Sequence, residues 1–143
     1  MAIDVTVSAS IRRPPEEVAA YLADSRHDTE WIGGIVDVTP PKEPVAVGTQ
    51  VQRVAKFMGR RIEYILEVER FEPSSLLAMR SVKAPFPMRV TYETASHEMG
   101  STVFLRVQGG PGGFARLFHP LMALEVRRNL RGDLRRLRSR LEA

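Results

Sequence analysis

The 143-residue chain contains no cysteine. That excludes disulfides, Cys-ligated metals and a thiolate nucleophile. Lysine stands only at positions 42, 56 and 83. Arginine therefore supplies nearly all of the positive charge behind a net +4 and a pI of about 10.0. Such a bias matches a GC-rich bacterial genome. No aromatic-rich basic strand or reading helix accompanies the charge, so a nucleic-acid partner is not expected. No stretch approaches the ~20 apolar residues that span a bilayer, so stable membrane insertion is not expected either. The first residues alternate like a strand and lack the basic start and apolar run of a signal peptide. The expectation is a cytoplasmic protein. His27, His97 and His119 lie far apart, without the i, i+4 spacing of a helical metal pair. No metal site and no cofactor are expected. A Gly-x-Ser-x-Gly elbow is missing, as are internal repeats and linkers. One domain over 1–143 follows from the length.

What is present is alternation. Ile3, Val5, Val7, Ala9 and Ile11 share one face of a strand. Pro14 and Pro15 stop it and suit a first helical turn, where Glu16 and Glu17 meet the positive end of the dipole. Val18, Tyr21 and Leu22 give a short helix its stripe. The polar segment from Asp24 to Glu30 reads as a turn or second short helix ending at Trp31, broken by Gly33 and Gly34. Six further strands follow. They centre on Ile35–Val38, Val51–Phe57, Ile62–Val68, Leu77–Val82, Met88–Glu93 and Val103–Gln108, separated by Pro and Gly. Turn-linked strands in sequence predict an antiparallel sheet.

Gly109, Gly110, Pro111, Gly112 and Gly113 then form a hinge, since the run lacks the Lys-Ser/Thr of a phosphate loop. Phe114, Leu117 and Phe118 make an apolar turn, and Pro120 restarts the helix. From there Ala123, Val126, Leu130, Leu134, Leu137 and Leu141 fall on one face. Leu121 and Leu124 widen the apolar arc of the first half. Seven arginines between 127 and 140 take the remaining surface and read as a solvated face. The fold class is α+β: a curved seven-stranded antiparallel sheet wrapped around a long C-terminal helix, with two short helices after the first strand. Such a plan encloses an apolar space.

The more apolar face of each strand should line that space. It carries Val51, Ala55, Phe57, Tyr64, Leu66, Met79, Val90, Tyr92 and Leu105, with Phe118, Leu121 and Met122 from the helix. Trp31 stands near its entrance. These positions describe either a cavity or a filled core. Arg53 breaks its face between Val51 and Ala55. A hairpin turning near Gly59 sets Ala55 opposite Tyr64 and Arg53 diagonal to it. A buried guanidinium needs a partner. Arg53 either binds a ligand carboxylate or enolate with Tyr64 donating a second hydrogen bond, or reaches solvent, or pairs with an Asp or Glu. Asp24, His27 and Asp28 lie close together near Trp31. They read as a solvated turn or as general acid–base groups.

The order of these elements resembles the SRPBCC superfamily, also called START-like or birch-pollen-allergen-like, with the helix-grip fold. The branch it is most similar to is the polyketide cyclase/dehydrase-like group. The resemblance covers essentially the whole chain. It rests on Arg13-Pro14-Pro15-Glu16-Glu17-Val18 with Tyr21-Leu22-Ala23-Asp24, then Trp31, Gly48-Thr49, Phe57-Met58-Gly59 and Phe71-Glu72-Pro73 with Leu76-Leu77. Pro85-Phe86-Pro87-Met88, Gly100-Ser101-Thr102-Val103 and Gly112-Gly113-Phe114 complete it. It implies a pocket between sheet and helix that takes a small apolar or amphipathic molecule, lipid- or polyketide-like. It also implies two alternatives: a polyketide cyclase or dehydratase, and an interaction module resembling heat-shock-protein activator homologues. The group has no invariant catalytic motif, so no catalytic residue carries over. A monomer or a homodimer fits equally well.

Overall fold

The computed structural model describes residues 3–57, 59–98, 100–110 and 122–143. The chain begins with β1 (Ile3–Ile11), where buried Ile3, Val5 and Val7 alternate with exposed Asp4, Thr6 and Ser8. Helix α1 (Pro15–Ala23) starts on Pro15 in its first turn, with Glu16 and Glu17 beside it. Its stripe of Val18, Ala19 and Leu22 is buried against β6 and β7. Asp24 ends the helix and caps the next turn, accepting the Arg26 amide at 3.1 Å. A 3-10 turn (Ser25–His27) leads into one turn of helix, α2 (Asp28–Trp31).

Six strands follow: β2 (Ile35–Thr39), β3 (Gln50–Phe57), β4 (Arg60–Glu72), β5 (Leu76–Lys83), β6 (Met88–His97) and β7 (Gly100–Gly109). Together with β1 they form one antiparallel seven-stranded sheet in the order β1-β7-β6-β5-β4-β3-β2. Only the β1–β7 neighbourhood joins strands distant in sequence. Register slips between Ile35 and Asp37 and between Val68 and Arg70 bend the sheet. Helix α3 (Met122–Leu141) packs on β1 and α2. Its Met122, Leu134, Leu137 and Leu141 are buried with Val5, Leu66, Val68, Val103 and Leu105 in a continuous core.

Three expectations change here. Phe57 pairs with Arg60, so the β3–β4 turn holds two residues and the register moves by two. Arg53 therefore stands directly opposite Tyr64, and Ala55 opposite Ile62. The facing survives because side chains alternate with period two. Leu124 does not widen a buried arc. It is 62% exposed, because the helix turns only its 122/126/130/134/137 side to the sheet. The third is Asp28, which is buried instead of solvated. Of the hinge expected over Gly109–Gly113, Gly109 closes β7 and the Gly110 amide donates to the Pro87 carbonyl at 2.8 Å; positions 111–113, the apolar turn of Phe114, Leu117 and Phe118, the restart at Pro120, and Leu121 lie outside the described residues.

Candidate functional site

Asp28 is not part of a solvated turn. As the first residue of α2 it is turned inward and fully buried. Arg53, 25 residues away in sequence, donates from Nε to its Oδ2 at 2.8 Å. The same guanidinium donates from Nη2 to the Tyr92 hydroxyl at 3.2 Å, and Tyr64 stands directly opposite Arg53 across the strand pair. Trp31 closes the cluster, its indole meeting the Tyr92 ring edge to face at 5.6 Å between centroids. Arg53 is only 3% exposed. Its partner therefore comes from within the chain, which is the third of the options open to it. The charges of Asp28 and Arg53 offset each other, so the cluster as a whole is close to neutral.

Burial raises the Asp28 carboxyl above its ordinary value, against the pull of Arg53. Burial works to lower Arg53, but Tyr92, Asp28 and Tyr64 carry it well above its usual value, so it stays charged. Tyr92 is pushed up to about 12 by burial, with Arg53 opposing. Tyr64 moves up for the same reason. Both phenols are therefore neutral hydrogen-bond donors rather than bases at neutral pH. Asp28 Oδ1 and Trp31 Nε1 have no hydrogen-bond partner among the described residues.

A cavity of about 410 Å³ lies between the sheet and α3. Its wall is largely apolar: Ile35, Ala55, Ile62 and Val107 from the sheet, Val126 and Leu130 from the helix. Tyr64 is where this wall meets the buried polar cluster. Of the residues expected to line it, Ala55, Tyr64 and Met122 do so. Trp31, Arg53, Leu66, Met79, Val90, Tyr92 and Leu105 do not stand on its wall. They are buried in the core, because α1 and the Trp31 indole already fill the concave face over β6 and β7. Phe118, Leu121 and the Phe57 side chain lie outside the described residues.

The cavity's rim leaves little trace in the sequence pattern. Gly33 and Gly34, a helix break by sequence, run beneath α3. The Gly33 amide donates to Asp133 Oδ1 at 2.9 Å. Asp133 also accepts from Arg136 Nη2. Arg136 in turn donates from Nε to the Trp31 carbonyl at 3.0 Å. Asp133 is 5% exposed, and burial raises its carboxyl while Gly33 and Arg136 draw it down. An Asp in the middle of an apolar helix face was the available signal. Arg136 is thus a latch between α2 and α3 rather than part of a solvated face. Arg127 likewise reaches the Thr6 carbonyl at 3.1 Å.

Residues 2–142 match the family model described as polyketide cyclase / dehydrase and lipid transport. The chain belongs to this family. Solved structures of the same fold include the Zhui aromatase/cyclase from Streptomyces sp. R1128. That match has a TM-score of 0.77 at 15% identity, covering 97% of this chain and 93% of that one. Protein CV1439 from Chromobacterium violaceum matches with a TM-score of 0.75 at 17% identity, over 100% and 99% of the two chains. TTHA0849 from Thermus thermophilus matches with a TM-score of 0.73 at 20% identity, over 94% and 96%. At these identities the likeness establishes the helix-grip fold. No curated protein matches the sequence. Among the described residues, no group of three or more His, Asp or Glu gathers as metal ligands. No helix among them is long and apolar enough to cross a membrane.

Proposed function

We propose that the protein binds a small apolar or amphipathic molecule, lipid- or polyketide-like, in the cavity between the sheet and α3. The carrying observation is the cavity itself: about 410 Å³ with a mostly apolar wall and one phenol, Tyr64, held at its inner side. Pockets of a few hundred Å³ with few polar groups are the usual form of small-molecule sites. Ala55, Tyr64 and Met122 contact the ligand directly in this reading. Arg53, opposite Tyr64 on the neighbouring strand and bonded to Tyr92, stands behind it.

The test is binding of the uncharged dye N-phenyl-1-naphthylamine, read by its fluorescence, together with native mass spectrometry for a co-purified molecule. Ala55→Phe and Val126→Phe fill the space and should each weaken dye binding by at least ~10-fold, since both occupy the volume a ligand needs. Unchanged dye affinity in both variants would remove the cavity as the binding place.

A second reading, a cyclase or dehydratase acting on a polyketide-like substrate, is favoured by one observation. The Tyr64 hydroxyl is kept protonated on the cavity wall and is backed by the permanently charged Arg53. That pairing would stabilise an enolate oxygen formed in the cavity. Cyclised product from a poly-β-ketone probe, lost in Tyr64→Phe, would support it. The interaction-module reading has less behind it. Among the described residues the exposed large apolar side chains are Val36, Val47, Val82, Phe104 and Leu124, each on a different segment.

A further inference from the structure

A second feature adjoins the cavity. An open groove runs between α2 and the last turns of α3, lined by Glu30, Gly132, Arg135, Arg136, Ser139, Arg140 and Ala143. Gly132 is buried in the middle of the helix. A Cβ there would stand 3.6 Å from Arg135 Nη2 and 3.6 Å from Arg136 Nη1. Two guanidinium groups therefore fold over the same point of the helix, where the absence of a side chain lets them lie.

Arg136 is fixed before any ligand arrives. Its Nε is on the Trp31 carbonyl, Asp133 takes Nη2, and its tip lies against Gly33, where a Cβ would be 2.3 Å from Nη2. Three arginines share the groove with Glu30, Asp133 and the terminal carboxylate of Ala143, and they differ in how they are paired. Asp133 offsets Arg136. Glu30 stands 3.8 Å from Arg140 and is already engaged by His27 at 2.8 Å and Tyr21 at 3.0 Å. Arg135 has no carboxylate within ion-pair distance among the described residues. Guanidinium forks match the oxygens of a tetrahedral oxyanion, and a preset fork loses less entropy on binding.

Arg136 lines both the groove and the apolar cavity. The two are neighbours across a single side chain. We propose that the ligand is an anionic amphiphile whose apolar body fills the cavity and whose phosphate-type headgroup lies in the groove on Arg135, Arg136 and Arg140. This deepens the binding reading above and rests on it.

The experiment displaces N-phenyl-1-naphthylamine with dodecanol, dodecyl phosphate and inorganic phosphate, the amphiphiles kept monomeric. Dodecyl phosphate should displace the dye at a concentration at least ~10-fold below that of dodecanol, as expected for a charge-assisted headgroup contact. In Arg135→Gln/Arg140→Gln, and separately in about 0.5 M NaCl, that ratio should fall to within ~3-fold, because exposed charges are screened. Inorganic phosphate alone should leave the dye in place but weaken dodecyl phosphate selectively, which distinguishes a tethered headgroup from a free-phosphate site. Equal displacement by dodecanol and dodecyl phosphate overturns the headgroup site and leaves the cavity reading standing. A phosphate advantage that survives the double variant also overturns it. Failure of the dye and of dodecanol to bind at all overturns the cavity reading itself.

Discussion

Arg53 and Asp28 meet at 2.8 Å with side chains that are 4% and 0% exposed. A pair so placed is hard to break from one side. Asp28→Ala leaves a desolvated guanidinium unbalanced and should destabilise the protein by about 3–5 kcal/mol. Asp28→Leu/Arg53→Met removes both charges and should unfold at a urea midpoint closer to wild type than either single change. A double variant less stable than both singles would show that the two losses add instead of compensating, and would overturn the pairing argument.

The tyrosines make a pH prediction. All three in the sequence, Tyr21, Tyr64 and Tyr92, are raised above the ordinary value of 10. Burial is the leading cause in each. For Tyr92, about 12 in the folded state, the unfolded chain loses its proton first. Its contribution is therefore fully present below pH ~10 and declines as pH rises from there towards the folded value. Phenolate absorbance of the native protein should stay low at pH 10 and rise only with unfolding. Tyr92→Phe should flatten the loss of stability between pH 10 and 12. Native-state titration near 10 would contradict the burial of these phenols.

Two glycines should respond differently to alanine. At Gly100 a Cβ would stand 2.2 Å from the Ile11 carbonyl oxygen and 3.0 Å from Arg12 Cα. Backbone cannot swing aside, so Gly100→Ala should cost more than ~2 kcal/mol. At Gly33 the obstacle is the end of the Arg136 side chain. Gly33→Ala should cost about 1 kcal/mol, the value of the displaced hydrogen bonds. Thermal melts of the two variants, run side by side, decide the order.

Helix α3 offers a third contrast. Leu137 is fully buried and Leu124 is 62% exposed. Leu137→Ala should destabilise by about 2–5 kcal/mol through lost burial and the cavity left behind. Leu124→Ala should stay within about 0.5 kcal/mol. Equal effects would mean that Leu124 is covered in solution.

The pattern of strands was readable because alternation is local. Ile3, Val5 and Val7 declare an inward face whatever surrounds them. Arg53 declared itself in the same way, as a charge on an apolar face. The register of β3 on β4 was not readable to the residue, because a turn one residue longer or shorter shifts every pair while hydrophobic patterning tolerates a shift of two. The site was legible only in part. Ala55, Tyr64 and Met122 were found on the cavity wall, but Leu66, Met79, Val90 and Leu105 belong to the core, since alternation does not say which stretch of a concave face a helix will fill.

The sequence by itself determined the architecture: seven alternating strands, two short helices and a long amphipathic one, in an order few folds accept. Tertiary structure alone decided the chemistry. Asp28 looks like one more polar residue in a turn until α2 packs against β2 and α3 and removes it from water beside Arg53. Arg136 looks like one of seven solvated arginines until Gly33 passes beneath it. Partners brought together across 25 and 105 residues leave no local periodicity to read. Their pairing is set by desolvation and close approach, which exist only once the chain is folded.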